Sequence, residues 1–202
     1  AAKFVMEEYK KMGYEPKMTV KGCVLVDIGG KNEDNGILLA AHTDTLGAMV
    51  RSITSNGTLK FTLLGGPISA TLDSEYCKIR TRDGKIYTGT ILSTSPAVHV
   101  YSDANDKPRK PENMEVRIDE IVKSKADVEA LGIAPGDFIF IDTKTVITES
   151  GFIKSRFIDD KGSVSALIGL MEVLKRENIK PRFTTKIFTT LLFTLPSSCT
   201  RA

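Results

Sequence analysis

The sequence predicts an α/β protein that is interrupted by a small all-β domain, and three observations support this prediction. Residues 35–42, NGILLAAH, form a nearly continuous apolar run, which is typical of a strand covered on both faces. Residues from about 48 to 142 instead contain short alternating runs separated by turn residues, which favours a small β-barrel or sandwich. From about residue 150 a helical stripe and another strand follow. We therefore predict a discontinuous α/β domain, residues 1–47 and 151–202, with residues 48–150 inserted into it.

The N-terminal part of the α/β domain should contain one helix and two strands. Phe4, Val5, Met6 and Tyr9 recur on a roughly helical period, and Gly13 is a stop signal, which predicts a helix over residues 2–12. Residues 22–30 and 35–42 are predicted as strands, joined by a polar turn at residues 31–34.

The inserted domain should consist of hairpins and one short helix. Asn56-Gly57 between alternating runs is the strongest short hairpin signal, and Asp83-Gly84 gives a second turn within residues 76–92. A Ser124 cap and Gly132 bound a predicted helix over residues 124–132. Further short strands are predicted at residues 97–101, 114–120 and 137–142.

The returning α/β pattern predicts one amphipathic helix and one strand. Val164, Leu167, Ile168, Met171 and Leu174 fall on one helical stripe. Basic residues occupy the last turn of this helix, and a proline lies beyond it. Residues 182–195 are then predicted as a strand.

Composition excludes several classes of protein. The net charge of +3 is small and evenly spread, and the densest basic stretch, residues 105–115, is interrupted by prolines and acids, so we expect no nucleic-acid surface. No apolar run is long enough to span a bilayer, and the first residues do not resemble a signal peptide. Three cysteines, far apart and without a CxxC pair, favour a reduced cytosolic protein in which Cys23 and Cys77 are core residues.

One of only two histidines lies where an α/β sheet commonly binds ligands. His42 follows the second predicted strand, and ligands gather beyond the carboxyl ends of such strands. Asp44 leaves the strand on the same face, so its carboxylate could orient the imidazole of a metal-bound His42. The motif alone is weak, because H-x-D arises often by chance. The other histidine, His99, falls in the inserted domain and is interpreted as a barrel strand residue.

A second candidate is the acidic pair Asp159-Asp160 at the start of the last helix. Acids are favoured at a helix N-terminus, which would account for one of the two residues. A carboxylate can also bridge two cations, and divalent metals accept carboxylate and imidazole ligands together. Two such metals would activate a water and polarise a carbonyl.

Several motifs in order resemble the dinuclear metallo-aminopeptidases of the glutamyl/deblocking, or tetrahedral, type, many of them historically labelled endoglucanases. The motifs are LLAAHTDTLGAMV, GTLKFTLLGG, VRIDE, ALGIAPGDFIFID and ITESGFIKSRFIDDKGSVSALIGLMEVL. The resemblance implies a cytoplasmic, zinc-peptidase-like α/β domain with an inserted β-barrel dimerisation domain. It also implies hydrolysis of N-terminal residues from peptides, two divalent zinc or cobalt ions, and a homo-oligomer.

The resemblance also assigns roles to particular residues. His42 corresponds to the terminal ligand of one metal, and Asp44 to the catalytic residue that orients it. Asp159 corresponds to the bridging carboxylate, and Asp160 follows it across a peptide bond that is typically cis in related enzymes.

The C-terminal sequence departs from the family pattern. After the Phe188-Thr189-Thr190 strand end, the family continues with a Glu-Glu pair, the general base and a ligand, and later supplies an Asp and a second His. This chain instead reads LLFTLPSSCTRA over residues 191–202. We therefore expect an α/β domain that is incomplete at its C-terminus, in a truncated or frameshifted product whose metal content is absent or partial.

Two other functions remain open. The chain could be a catalytically inactive fragment or pseudoenzyme whose barrel mediates self-association. It could also be a glycoside hydrolase, as the endoglucanase label suggests. A glycosidase requires two carboxylates that flank a sugar, and the adjacent Asp159-Asp160 pair is better explained by metal chemistry together with His42.

Overall fold

The computed structural model describes residues 1–191 of the 202-residue chain. The described residues form two compact units, one made of residues 1–45 and 157–191 and the other of Leu46–Arg156. In chain order the helices and strands are α1 Ala2–Lys11, β1 Lys17–Met18, β2 Val24–Gly29, β3 Asn32–His42, β4 Gly47–Ile53, β5 Leu59–Leu64, β6 Glu75–Arg80, β7 Ile86–Ser93, β8 Met114–Ile118, α2 Lys125–Ala130, β9 Phe138–Ile141, β10 Val146–Ile147, β11 Ile153–Lys154, α3 Lys161–Arg176 and β12 Phe183–Thr190.

The first unit is a four-stranded mixed sheet with two helices packed on it. The strand order is β1-β2-β12-β3, and β12 pairs antiparallel with β2 and parallel with β3. One core cluster joins both helices to three strands, with Tyr9 from α1, Met171 from α3 and Ile187 from β12 fully buried. The predicted α/β fold is therefore confirmed, and β12, the last strand within residues 1–191, lies between β2 and β3.

A buried hydrogen bond ties α1 to the middle of this sheet. Tyr9 Oη lies 3.0 Å from Thr189 Oγ1, and both residues are almost fully buried. Burial raises the pKa of Tyr9, so the phenol stays protonated in this contact. The apolar stripe predicted for residues 2–12 includes Tyr9, and the buried Tyr9 hydroxyl has a hydrogen-bond partner.

The second unit is a closed six-stranded barrel in the order β4-β5-β8-β7-β6-β9. Ile53 pairs with Leu59 across the turn that contains Asn56-Gly57, as the hairpin signal predicted. Alternate residues point inward, as in β9, where Ile139 and Ile141 are buried and Phe138 and Phe140 are exposed. Ser124 caps α2 by accepting a hydrogen bond from the amide of Asp127.

The structure also corrects several predicted elements. Residues 97–101 are a tight turn, not a strand, because Tyr101 donates its amide to Ala97 O and the apolar residues there are exposed. The segment predicted as the turn 31–34 is mostly part of β3, and the chain reverses at Gly29-Gly30 instead. The short strands β1, β10 and β11 were not predicted. The strand predicted for 182–195 is observed as β12, and its last four predicted residues lie outside the described chain.

Cys23 and Cys77 are buried free thiols, as predicted, and Cys199 lies outside the described residues. Across residues 1–191, no helix combines the length and apolar character that crossing a bilayer requires.

Candidate metal centre

His42 is the last residue of β3, at the carboxyl end of the parallel β3–β12 pair. It is in register with Thr190, the last residue of β12. Thr43 continues the pairing by donating its amide to Thr190 O at 3.0 Å. Pairing with β12 therefore fixes the end of β3, and with it the backbone position of His42.

Asp159 and Asp160 lie at the start of α3, joined by a cis peptide bond. Asp160 is the N-cap residue of α3, but its side chain does not cap the helix in the usual way. Its Oδ2 accepts a hydrogen bond from the backbone amide of His42 at 3.2 Å. This contact brings the start of α3 to the end of β3, although 118 positions separate the two residues in the chain.

The two candidate metal ligands converge at this junction. Nε2 of His42 lies 3.2 Å from Oδ1 of Asp159, and Nδ1 lies 3.3 Å from Oδ1 of Asp44. Nδ1 is shielded from solvent and makes no hydrogen bond of regular geometry, although the Asp44 carboxylate lies beside it. The Asp159 side chain is 93% exposed and the His42 side chain 27%, so the Nε2 face opens to solvent.

This donor pair fits two positions around one divalent ion. Two ligands at zinc–nitrogen and zinc–oxygen bond lengths in a tetrahedral site lie about 3.3 Å apart. The Nε2–Oδ1 distance matches that spacing, and an aspartate at the other ring nitrogen is the usual partner of a metal-bound histidine. Within residues 1–191, however, no group of three or more His, Cys, Asp or Glu side chains is arranged to hold an ion. Among the described residues, the candidate site therefore consists of two donor atoms, His42 Nε2 and Asp159 Oδ1.

Local hydrogen bonds, burial and charges shift the pKa values of two groups beside His42 and Asp159. The Ser163 hydroxyl, and after it the His42 amide, hold the pKa of the Asp160 carboxyl below its usual value. Burial lowers the pKa of Lys161, and the nearby negative charge of Asp44 opposes that effect. Lys161 is the first residue of α3, and its Nζ donates to Thr45 Oγ1 at 2.6 Å.

The structure thus brings together His42, Asp44, Asp159 and Asp160, the four residues that the sequence singled out. The second histidine, His99, is exposed in a turn of the barrel unit rather than in a strand. Lys161 and Thr45 were not predicted to lie here. A signal for both was available in the sequence, since each directly follows a predicted site residue.

The sequence and the fold of the chain are similar to those of known aminopeptidases. The profile of the M42 glutamyl aminopeptidase family matches residues 22–191. The chain is 47% identical over 165 residues to the Bacillus subtilis (strain 168) protein YhfE, covering 82% of this chain and 48% of that protein. The chain spans about half the length of the curated relatives it matches.

Solved structures give the same result. The TET aminopeptidase from the marine sediment archaeon Thaumarchaeota archaeon SCGC AB-539-E09 is 26% identical with a TM-score of 0.80, over 92% of this chain and 51% of that one. A Pyrococcus horikoshii TET1 peptidase, described as able to assemble into a tetrahedron or a large octahedral shell, has the same fold. It is 24% identical with a TM-score of 0.72, over 93% of this chain and 53% of that one. The profile match over most of the chain shows that this protein belongs to the M42 glutamyl aminopeptidase family.

Proposed function

We propose that this chain carries part of the dinuclear metal centre of an aminopeptidase, which removes N-terminal residues from peptides. The observation that supports the proposal is the convergence of His42 Nε2 and Asp159 Oδ1 to 3.2 Å, with Asp44 at the other ring nitrogen. Chance placement of an H-x-D motif does not account for the carboxylate of Asp159, which lies just before α3 and 117 residues after His42 in the chain.

Each residue has a distinct role in this proposal. His42 would hold a metal ion through its imidazole, and the Asp159 carboxylate would be a ligand shared by the metal pair. Asp44 orients the imidazole and favours the tautomer that leaves Nε2 free to bind. Zinc or cobalt, when bound, would polarise the scissile carbonyl and activate a water.

In this proposal, the remaining ligands and the general base lie in the part of the relatives' sequences that this chain does not cover. The curated relatives are about twice as long as the matched region. These two donors would by themselves bind an ion weakly, because even a single catalytic zinc is usually held by about three protein ligands.

Metal uptake and peptidase activity test the proposal with the two histidines as a matched pair. His42→Ala should abolish Co²⁺ binding by the full chain, measured by visible absorption and equilibrium dialysis, whereas His99→Ala should leave it unchanged. Release of an amino acid from an aminoacyl-p-nitroanilide, lost with a chelator and in His42→Ala, would support the peptidase. Equal Co²⁺ binding by the two variants would contradict the assignment of His42.

The same assays separate the alternatives. A folded, oligomeric chain without turnover would favour a pseudoenzyme that acts through self-association. Hydrolysis of carboxymethylcellulose that resists chelators would favour a glycosidase. The geometry gives the glycosidase little support, since the Asp160 carboxylate is already bound to the His42 amide rather than facing a sugar across a cleft.

We further propose that the barrel unit mediates self-association with a second copy of the chain. Phe138 and Phe140 project outward from β9, with side chains about half exposed and rings stacked 6.3 Å apart. Aromatic residues are enriched in protein interfaces relative to the rest of the surface. The assembly described for the Pyrococcus horikoshii relative supports a copy of the same chain as the partner.

Oligomer mass tests this surface. Phe138→Ser combined with Phe140→Ser should lower the mass measured by light scattering, because the aromatic contact area is lost. Ile68→Ser, which removes another exposed apolar side chain of the same unit, is the control and should leave the mass unchanged. An unchanged mass in the double variant would contradict the proposed interface.

The proposed location is the cytoplasm. Cys23 and Cys77 are both buried and unpaired, which suits a compartment that keeps thiols reduced. Peptide substrates are the proposed small partners, and the net charge of +3 gives no reason to propose nucleic acid.

A further inference from the structure

Two consecutive residues at the start of α3 bind the segment that carries His42 and Asp44. Asp160 accepts from the His42 amide at one end, and Lys161 donates to the Thr45 hydroxyl at the other end. We call this pair of contacts the clasp. It encloses the four residues His42 to Thr45, and both proposed functional side chains of that segment lie inside it.

The position of Lys161 is electrostatically unfavourable for a positively charged side chain. A cation in the first turn of a helix opposes the helix dipole, an effect of about 0.3–1 kcal/mol. A lysine beside a cation site would also repel the metal. Lys161 is nevertheless partly buried, and its 2.6 Å hydrogen bond to Thr45 and the charge of Asp44 are the contacts that offset these costs.

We propose that Lys161 is a positioning residue for the metal centre. Its hydrogen bond to Thr45 holds the segment after β3 so that His42 faces Asp159 at 3.2 Å and Asp44 stays at the other ring nitrogen. Asp159 precedes Lys161 by only two residues, so the same helix start carries one ligand and positions the other. This inference rests on the proposed function of His42 and Asp159 as metal ligands.

A simpler account, in which Lys161 only adds positive charge, predicts effects of the opposite sign. Removal of a nearby positive charge strengthens binding of a divalent cation. Removal of a positioning contact weakens it, typically by 10–100-fold for groups that orient a ligand, so we expect a loss of about 10-fold. Thr45→Val separates the two accounts further, because it removes the hydrogen bond between Lys161 and Thr45 without any change of charge.

The experiment compares Lys161→Met and Thr45→Val in the full chain, with Lys175→Met as the matched control. Lys175 lies in the last turn of the same helix, and its Nζ also makes one hydrogen bond, to Met12 O at 2.7 Å. It has the same charge but no part in the clasp. Thr45→Ser keeps the hydroxyl and should restore the behaviour of the unaltered chain, and thermal melts verify that each variant is folded.

Two measurements decide the outcome. Without metal, Lys161→Met and Thr45→Val should each speed hydrogen exchange at the His42 amide, because the segment opens more often. With Co²⁺ alone as the probe, both should weaken binding about 10-fold and alter the visible absorption of the bound ion. Lys175→Met should do neither.

Three results would overturn the inference or its basis, and they are distinguishable. Tighter Co²⁺ binding in Lys161→Met with no change in Thr45→Val would leave only a charge effect and overturn the positioning role. Unchanged exchange at His42 in both variants would show that the clasp does not hold the segment. Failure of the unaltered chain to bind Co²⁺ even weakly would overturn the proposed role of His42 and Asp159 as metal ligands, while the exchange result would still decide whether the clasp exists.

Discussion

The Cys77 thiol shows how the barrel changes the chemistry of a single side chain. Cys77 lies in β6 between Gly89 of β7 and Ile141 of β9, and only 2% of it is exposed. Burial, with a smaller contribution from the charge of Asp119, raises the pKa of Cys77 to about 12. The thiolate is therefore strongly disfavoured in the folded protein, and Cys77 behaves as a small apolar core residue.

This shift predicts a loss of stability in alkali. The folded pKa is above the ordinary 9.0, so the stability contribution is complete below pH 9 and is lost as pH rises toward 12. The free energy of unfolding should fall between pH 9 and 10.5 by about 1.5 kcal/mol more in the unaltered chain than in Cys77→Ala. Urea titrations at several pH values measure this, and parallel pH profiles for the two proteins would contradict it.

The crossing of β12 over the turn between β2 and β3 depends on a single glycine. A Cβ built on Gly30 would lie 2.2 Å from both Phe183 C and Thr184 N, which are backbone atoms of β12. Lys31 also donates its amide to Pro181 O at 2.8 Å, so the two segments are in direct backbone contact there. No side chain fits at Gly30 unless β12 moves.

Two glycine-to-alanine substitutions should therefore have opposite effects. Gly30→Ala should destabilise the first unit by more than about 3 kcal/mol, because rigid backbone atoms occupy the space. Gly169→Ala, in the exposed middle of α3 with nothing within 4 Å, should stabilise it by about 0.5–1 kcal/mol. Urea midpoints measure both, and similar shifts in the two variants would argue against this close crossing.

The secondary-structure predictions that were wrong lie where the local sequence and the tertiary contacts favour different conformations. Val98 and Val100 favour a strand by composition, but no strand within residues 1–191 pairs with them and the segment closes into a turn instead. Asn32 and Asp34 favour a turn, yet β3 extends through them because Asn32 donates its amide to Arg182 O. Strand formation depends on partners, and partners distant in the chain are not visible in a short window of sequence.

The discontinuous chain places the proposed centre in one unit only. His42, Asp44, Thr45 and Asp159 all belong to the unit of residues 1–45 and 157–191, although the whole barrel separates them in the chain. A ligand that binds the folded state stabilises the region that holds it. The effect of metal on the molecule should therefore be confined to that unit.

Hydrogen exchange with and without Co²⁺ maps this confinement. Saturating Co²⁺ should slow exchange in peptides that span residues 37–45 and 157–165, because both contribute to the proposed site. Peptides that span residues 75–93 of the barrel serve as the internal control and should exchange at the same rate. Protection of the barrel peptides alone, or of no peptide at all, would contradict the proposed location of the metal.

The amino-acid pattern alone predicted the fold class and the hairpins at Asn56-Gly57 and Asp83-Gly84, and it singled out His42, Asp44, Asp159 and Asp160 as candidates. These depend on periodicity, turn chemistry and motifs, which are local properties of the chain. The tertiary structure decided that β12 inserts between β2 and β3, that Gly30 makes this crossing feasible, and that Lys161 and Thr45 join the site. Those features arise where segments more than 100 residues apart come into contact, and the free energy of such contacts depends on both partners at once.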